Sequence, residues 1–309
     1  MKNQEHLPLH YSQRVEKALK DGRAVLALES TVLTHGLPTP RNYEVLELLE
    51  QTARENGAEP ATIIVLEGKL HIGMDDADRL ALQTKLLDKE PVHKLGRRDL
   101  PLAVAMDYSG GTTVSATMLL AHLAGIKVFA TGGIGGVHRG WNGTLDISND
   151  LPTLAQIPVI VVSAGCKAIL DIPATLEYLE TNGVLVLGWQ TKDFPAFYSS
   201  GSGFRIDSVE DAEHIAKIYI NMLNLDPVPK GILIANPVPL KDQIPSKEIE
   251  AHIEKAIQEA NKLQIGGKQL TPFLLSYLAT STAGRSIDTN LALLMNNVKV
   301  GSQIARELL

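Results

Sequence analysis

Six short apolar runs, rich in valine and isoleucine, recur along the chain: AVLAL (24–28), TIIVL (62–66), KVFA (127–130), PVIVV (158–162), VLVL (184–187) and GILI (231–234). Each is too short for a helix and too continuously apolar to leave one face in water, so each predicts a strand buried on both faces. Such strands are parallel and need crossovers, which the intervening stretches supply. Helical spacing fits 41–56, 75–87, 114–124, 174–181 and 209–223. It is clearest over 246–263, where Ile249, Ile253, Ile257, Ala260 and Leu263 recur every three or four residues. A last helix over 286–307 has Ser286 and Asp288 as candidate caps. The pattern predicts an α/β fold, a largely parallel sheet covered by helices. DLPTLAQIP is too short to be a linker and the chain holds no internal repeat. One domain over 1–309 is therefore expected.

At 44% hydrophobic and 21% charged residues, the chain can build a substantial core. The net charge of −6 gives no support to a nucleic-acid partner. A single cysteine, Cys166, excludes an internal disulfide framework and suits a reducing compartment. The opening MKNQEHLPLHYSQRVEKALKDGR lacks the apolar centre of a secretory leader. No apolar run approaches the ~18 residues of a membrane span. The expectation is a cytoplasmic protein with no membrane partner.

In open α/β sheets, chemistry collects in loops leaving the carboxyl ends of the strands. Glu29 ends the first run, followed by Ser30, Thr31, Thr34 and His35. A carboxylate there needs hydrogen bonds or a partner, as an acid–base group or as a cap. In SGGTTV, two glycines precede Thr112, Thr113 and a helical pattern, which describes either a phosphate-binding helix start or an ordinary cap. ATGGIGGVHRG, with glycines at 132, 133, 135 and 136, can form an anion nest. It does not match the dinucleotide GxGxxG spacing. His138 and Arg139 can reach an anion. Asp146 and Asp150 offer hard oxygen ligands suited to Mg²⁺ or Mn²⁺, with helix capping by Asp146 as the rival reading. Lys94, Arg97 and Arg98 cluster in HKLGRRDLP, either as a phosphate clamp or as a solvated basic loop. PAFYSSGSGF and ANPVP suggest flexible lids or turns. Asn290 opens the last helix and either orients substrate or caps. Lys167, in SAGCK, follows a buried strand. A lysine in a low-dielectric site loses proton affinity and becomes a Schiff-base nucleophile, whereas an ammonium that binds phosphate or snorkels is the alternative. Cys166 beside it reads as a packed residue.

Together ALEST, GRRDLP, TTVSATM, FATGGIGGVHRG, DISNDL, SAGCKAILDI, YLETNGV, ANPVP and TPFLL resemble the pseudouridine-5′-phosphate glycosidase (pseudouridylate synthase) family, related to indigoidine synthase A. The blocks run in order from about residue 24 to beyond 290. Departures are small: Cys166 stands where relatives often carry alanine, Leu95-Gly96 replaces Val-Ser, and Ser199–Phe204 is short. The resemblance implies an α/β/α sandwich, a homotrimer and one Mn²⁺ per subunit. It implies reversible cleavage of pseudouridine 5′-phosphate to uracil and ribose 5-phosphate. Lys167 would be the nucleophile, Glu29 the proton donor and Asn290 an assistant at the reacting centre. Lys94, Val114, Ser148, Asn149 and Asp150 would contact substrate and Asp146 the metal. The nest around 132–138, with His138, and the helix start at Thr112 and Thr113 would hold the phosphate. A class I aldolase and a non-catalytic sugar-phosphate sensor are the competing readings.

Overall fold

The computed structural model describes residues 8–37, 39–265 and 270–309. The first seven residues of the polar opening and Pro38 fall outside the described residues, as do the side chains of Thr271 and Pro272 in TPFLL. The strands are β1 (Leu9–Tyr11), β2 (Val25–Leu28), β3 (Glu59–Leu66), β4 (Lys69–Ile72), β5 (His93–Leu95), β6 (Gly110–Thr112), β7 (Val128–Ala130), β8 (Val137–His138), β9 (Ile160–Ser163), β10 (Leu170–Asp171), β11 (Leu185–Trp189), β12 (Asp207–Val209) and β13 (Ile232–Ala235). The main sheet runs β1-β4-β3-β2-β7-β9-β13-β11-β12, with β6 also on β3 and β5 on β6. From β3 to β12 every pairing on that path is parallel. Antiparallel partners of β3, namely β4 and β6, lie at its margin. A separate antiparallel pair joins β8 to β10.

All six apolar runs are strands of the parallel region. Every residue of β2, β7, β9 and β13 is buried. Successive strand side chains point to opposite faces, so both faces are covered and the architecture has three layers. The helix Arg285–Glu307 crosses β2, β7 and β9, and the helices Arg41–Glu55 and Ala212–Leu225 pack against it. Gly301 brings it close to Leu26 and Ala130. The helix Val114–Leu123 packs against β2, β3 and β7. Among the described residues, no helix is long and apolar enough to cross a membrane.

Three local expectations are refined or changed. Gly110 and Gly111 belong to β6, where Gly111 lies against Ser30 and Thr34, so their lack of a side chain serves packing, and the helix start that follows them has Thr113 at its cap position. The last helix starts at Arg285 behind Gly284, whose φ of +86° is the left-handed region that glycine favours. Ser286 is buried in its first turn, its N–H on the Thr282 hydroxyl, and neither it nor Asp288 caps. The PAFYSSGSGF loop is not an open lid. Phe197 and Tyr198 are buried, the Ser199 hydroxyl donates to the Ile244 carbonyl at 2.6 Å, and Asp193 accepts the Ser202 and Gly203 N–H groups.

Leu26 is fully buried beneath Gly301. Leu26→Ala should therefore lower the unfolding free energy by about 2–5 kcal/mol, as read by urea denaturation.

Candidate active site

Leu28, Ala130 and Val162 lie in one register across β2, β7 and β9. The residues that follow, Glu29, Thr131 and Ser163, therefore leave the sheet at one level. Glu29 is half-buried, and its two carboxylate oxygens each accept a hydroxyl, one from Thr31 and one from Thr131. Thr131 was not singled out in the sequence, although its place directly before the glycine run was a signal. Its carbonyl accepts the side-chain amide of Asn297 at 2.7 Å. The Asn297 oxygen in turn accepts Asn236 at 2.9 Å, and the Asn236 N–H donates to Ser163 at 2.8 Å. Asn297 thus ties the ends of β7, β9 and β13 to the last helix. Helical periodicity alone gave no sign of this fully buried asparagine.

Beyond β9 the chain turns at Gly165, φ +80°, where a Cβ would meet the Phe194 ring. Cys166 bridges to Ile134, and the Lys167 N–H donates to the Ile134 carbonyl at 3.1 Å. The lysine loop is thereby laid along the glycine loop. Burial pushes the Cys166 thiol up to about 12, so the cysteine stays protonated and packed. Lys167 is half-buried. Its amine has no hydrogen-bond acceptor or carboxylate partner among the described residues.

Two chambers meet at this amine, and Lys94 and Lys167 line both. The more apolar one, about 390 Å³, also has Glu29, His35, Phe197, Tyr198, Asn290 and Leu294 in its wall. The polar one, about 490 Å³, is walled by Thr113, His138, Asp146, Ser148, Asn149 and Asp150 among others. Phe197 and Tyr198, in the stretch whose composition suggests a lid or a turn, are wall residues. Both volumes fall in the usual range for small-ligand sites.

Thr112 and Val114 do not line either chamber. The Thr112 hydroxyl is buried, donating to Ile63 at 2.7 Å and accepting from Thr117 at 2.9 Å. The Val114 side chain is buried too, which leaves its backbone N–H as the group able to meet a ligand. Of the basic loop, Lys94 reaches the site, Arg98 lies at the polar rim, and Arg97 bonds Gln156. Arg139 does not line the polar chamber; its guanidinium bonds the carbonyls of Ala168 and Leu170. The glycine nest is largely spoken for as well. The N–H groups of Ile134, Gly135, Val137 and His138 all have acceptors within the protein.

Asp150 explains part of that. Its two oxygens accept the N–H groups of Gly135 at 2.8 Å and Ser115 at 2.9 Å. It joins the glycine loop to the start of the helix Val114–Leu123. A pair of free carboxylates for a cation is therefore reduced to one, Asp146. Among the described residues, no three His, Cys, Asp or Glu side chains form a metal cage.

Burial holds the His138 imidazole below its ordinary 6.5; Asp146 opposes this, and Lys167 and Lys94 reinforce it. Burial and Lys94 likewise lower His35, whose Nδ1 shares a 2.7 Å hydrogen bond with the Thr34 hydroxyl. The folded His138 takes its proton at lower pH than the unfolded one. Between the two values the unfolded chain binds more protons, so stability falls as pH drops below 6.5. His138→Gln should shrink the stability lost between about pH 7.5 and about pH 5.5, as measured by urea titration at both pH values.

The chain matches the family described as indigoidine synthase A like protein over residues 14–307. It is 46% identical to the pseudouridine-5′-phosphate glycosidase of Alkaliphilus metalliredigens, covering 99% of this chain and 98% of that protein. It is 49% identical to the enzyme of that name from Caldanaerobacter subterraneus, covering 96% and 95%. Among solved structures it resembles an indigoidine synthase A-like protein of Thermotoga maritima, with TM-score 0.88, 36% identity and coverage of 100% and 99%. It also resembles the prealnumycin C-glycosynthase AlnA in complex with ribulose 5-phosphate, with TM-score 0.89, 33% identity and coverage of 98% and 97%. With nearly its whole length matched on every count, the chain belongs to the indigoidine synthase A like family.

Proposed function

We propose that this chain is a pseudouridine-5′-phosphate glycosidase, which reversibly cleaves the carbon–carbon glycosidic bond of its substrate to give uracil and ribose 5-phosphate. The observation that carries this reading is the place of Lys167 at the junction of the two chambers, with Glu29 in the wall of the apolar one. A substrate with a flat base at one end and a phosphate at the other puts its anomeric carbon at that junction. The base lies between Phe197 and Asn290. The phosphate lies in the polar chamber, facing donors from Lys94, Thr113, His138, Ser148 and Asn149 and the Val114 N–H.

The chemistry needs an amine because uracil C5 is a poor leaving carbon. Opening of the ribose ring breaks the C1′–O4′ bond, with a proton delivered to O4′, and Lys167 Nζ bonds to C1′. Protonation of uracil C5 then lets the nitrogen lone pair break the C1′–C5 bond, which leaves an iminium between Lys167 and the sugar. Water adds to the iminium, ribose 5-phosphate departs as the aldehyde, and the amine is restored. Glu29 is the group placed to carry protons to O4′ and C5, and its two threonine donors fix its orientation. Binding of the remote phosphate turns affinity into alignment at C1′.

Asp146 would hold a Mn²⁺ ion through its one carboxylate, the remaining ligands being water and phosphate oxygens, as is ordinary for hard cations. Such an ion would supply charge for the phosphate end. A homotrimer and a cytoplasmic location complete the reading; sedimentation of the purified protein tests the first.

The purified protein with pseudouridine 5′-phosphate should release free uracil, which an aldolase acting on other sugars and a binding-only protein would not do. Lys167→Ala should lose about 10³-fold or more of that turnover while remaining folded. Borohydride with ribose 5-phosphate should leave a covalent adduct that peptide mapping places on Lys167; an adduct on Lys94, or none, overturns the assignment. Glu29→Gln should cost about 10²–10⁴-fold in kcat, and unchanged kcat in a steady-state uracil assay would remove it from the mechanism.

A further inference from the structure

We propose that Arg139 is a positioning residue: it ties the loop carrying Lys167 to the helix Ser246–Lys262, and through that helix to the roof of the apolar chamber. This rests on the reading of Lys167 as the nucleophile.

Arg139 follows His138 at the end of β8. Its Nη2 donates to the Ala168 carbonyl at 3.1 Å and its Nε to the Leu170 carbonyl at 3.5 Å. Ala168 is the residue after Lys167, so the guanidinium fixes the peptide on the far side of the lysine. The Lys167 N–H, bonded to Ile134, fixes the near side. The remaining N–H groups of Arg139 form a two-point pair with Glu250. A planar fork is needed to meet a carboxylate and backbone oxygens together, which a lysine cannot do.

Glu250 lies in the first turns of the helix Ser246–Lys262, which packs along the helix Leu270–Ser281. Leu275, Ser276, Ala279 and Thr280 of that second helix line the apolar chamber. Two residues before Glu250, Glu248 pairs with Arg285, the first residue of the helix that carries Asn290. One helix start thus grips, through two arginines, both the loop of the amine and the helix of the amide. Both pairs are largely exposed, and exposed ion pairs contribute little to stability. Geometry at the reacting atoms is far more sensitive, since a misplacement of about 1 Å can cost about a hundredfold in rate. A residue of this kind should weigh on turnover and hardly on folding.

The test compares the full-length protein with Arg139→Gln, Arg139→Lys, Glu250→Ala and the double variant Arg139→Gln/Glu250→Ala. Arg139→Gln should lower kcat for uracil release by about tenfold or more, leave KM within about threefold, and slow borohydride trapping of ribose 5-phosphate in parallel. Its thermal midpoint should stay within a few degrees of wild type. Arg139→Lys should recover only part of the loss, and the double variant should be no worse than Arg139→Gln alone, since both changes break one link. A kcat within twofold of wild type for Arg139→Gln overturns the proposal, as does a loss that only tracks the folded fraction. Should Arg139→Gln fail to fold, Glu250→Ala decides, and unchanged kcat there overturns the coupling. A wild-type protein that releases no uracil, or is trapped elsewhere than at Lys167, sinks the functional reading itself; normal wild-type trapping with an indifferent Arg139→Gln sinks only this inference.

Discussion

The parallel register of β2, β7 and β9 is the constraint on which the site depends. With Leu28, Ala130 and Val162 level with one another, the first side chains past the sheet emerge as neighbours, and the Thr131 hydroxyl can meet the Glu29 carboxylate. A slip of one residue would turn each strand's side chains to the opposite layer. Hydrophobic burial on both faces resists that slip. Asn297 resists it a second way, because its amide is the partner of the Thr131 carbonyl and its oxygen is the partner of Asn236. Removing it would strand buried polar groups at the mouth of the site, at about 1–3 kcal/mol each.

The loops above the sheet are held in a similar manner, by polar groups satisfied inside the protein. Asp150 spends both oxygens on backbone N–H groups from two different elements. The glycine loop gives most of its N–H groups to carbonyls and hydroxyls. What faces the polar chamber is therefore mainly side-chain chemistry: two lysines and Arg98, the carboxylates of Asp99, Asp146 and Asp150, hydroxyls, and a histidine whose proton affinity is lowered by burial and its cationic neighbours. A frame already bonded to itself needs little reorganisation when an anion arrives, which is where preorganised sites gain over water.

The sequence was most legible where one physical effect dominates. The six apolar runs became strands because only burial on both faces suits such composition, and their order along the chain put Glu29, the glycine run and Lys167 at the same end of the sheet. Strands β1, β4, β5, β6, β8, β10 and β12 left no such trace, since they are short, marginal or half-exposed, and their pairing is set by tertiary contact. SGGTTV marked the helix start correctly, but a glycine chosen to let Ser30 and Thr34 approach cannot be told from one chosen to open a phosphate site. Thr112 and Arg139 show the limit from the other side. Each carries donors suited to an anion, and each is engaged by carbonyls that no local pattern reveals.

A carbon–carbon glycosidic bond sets a harder geometric problem than a carbon–nitrogen one. The leaving carbon C5 must be protonated while an electron pair arrives at C1′ from the nitrogen, so acid and amine have to address the two ends of one bond. Glu29 and Lys167 both line the apolar chamber, where an ion pair between them would neutralise both. Here the carboxylate is occupied by two hydroxyls within the apolar chamber, and the amine stands at the boundary without an acidic partner among the described residues. On the proposed mechanism, the lack of pairing would leave both groups available to a substrate that brings C1′ between them. The division into two chambers would let the apolar one limit water around the base while the iminium carbon, beside the polar chamber, stayed open to it. On the proposed mechanism, bond cleavage and hydrolysis, which ask for opposite conditions, would thus take place on two sides of one lysine.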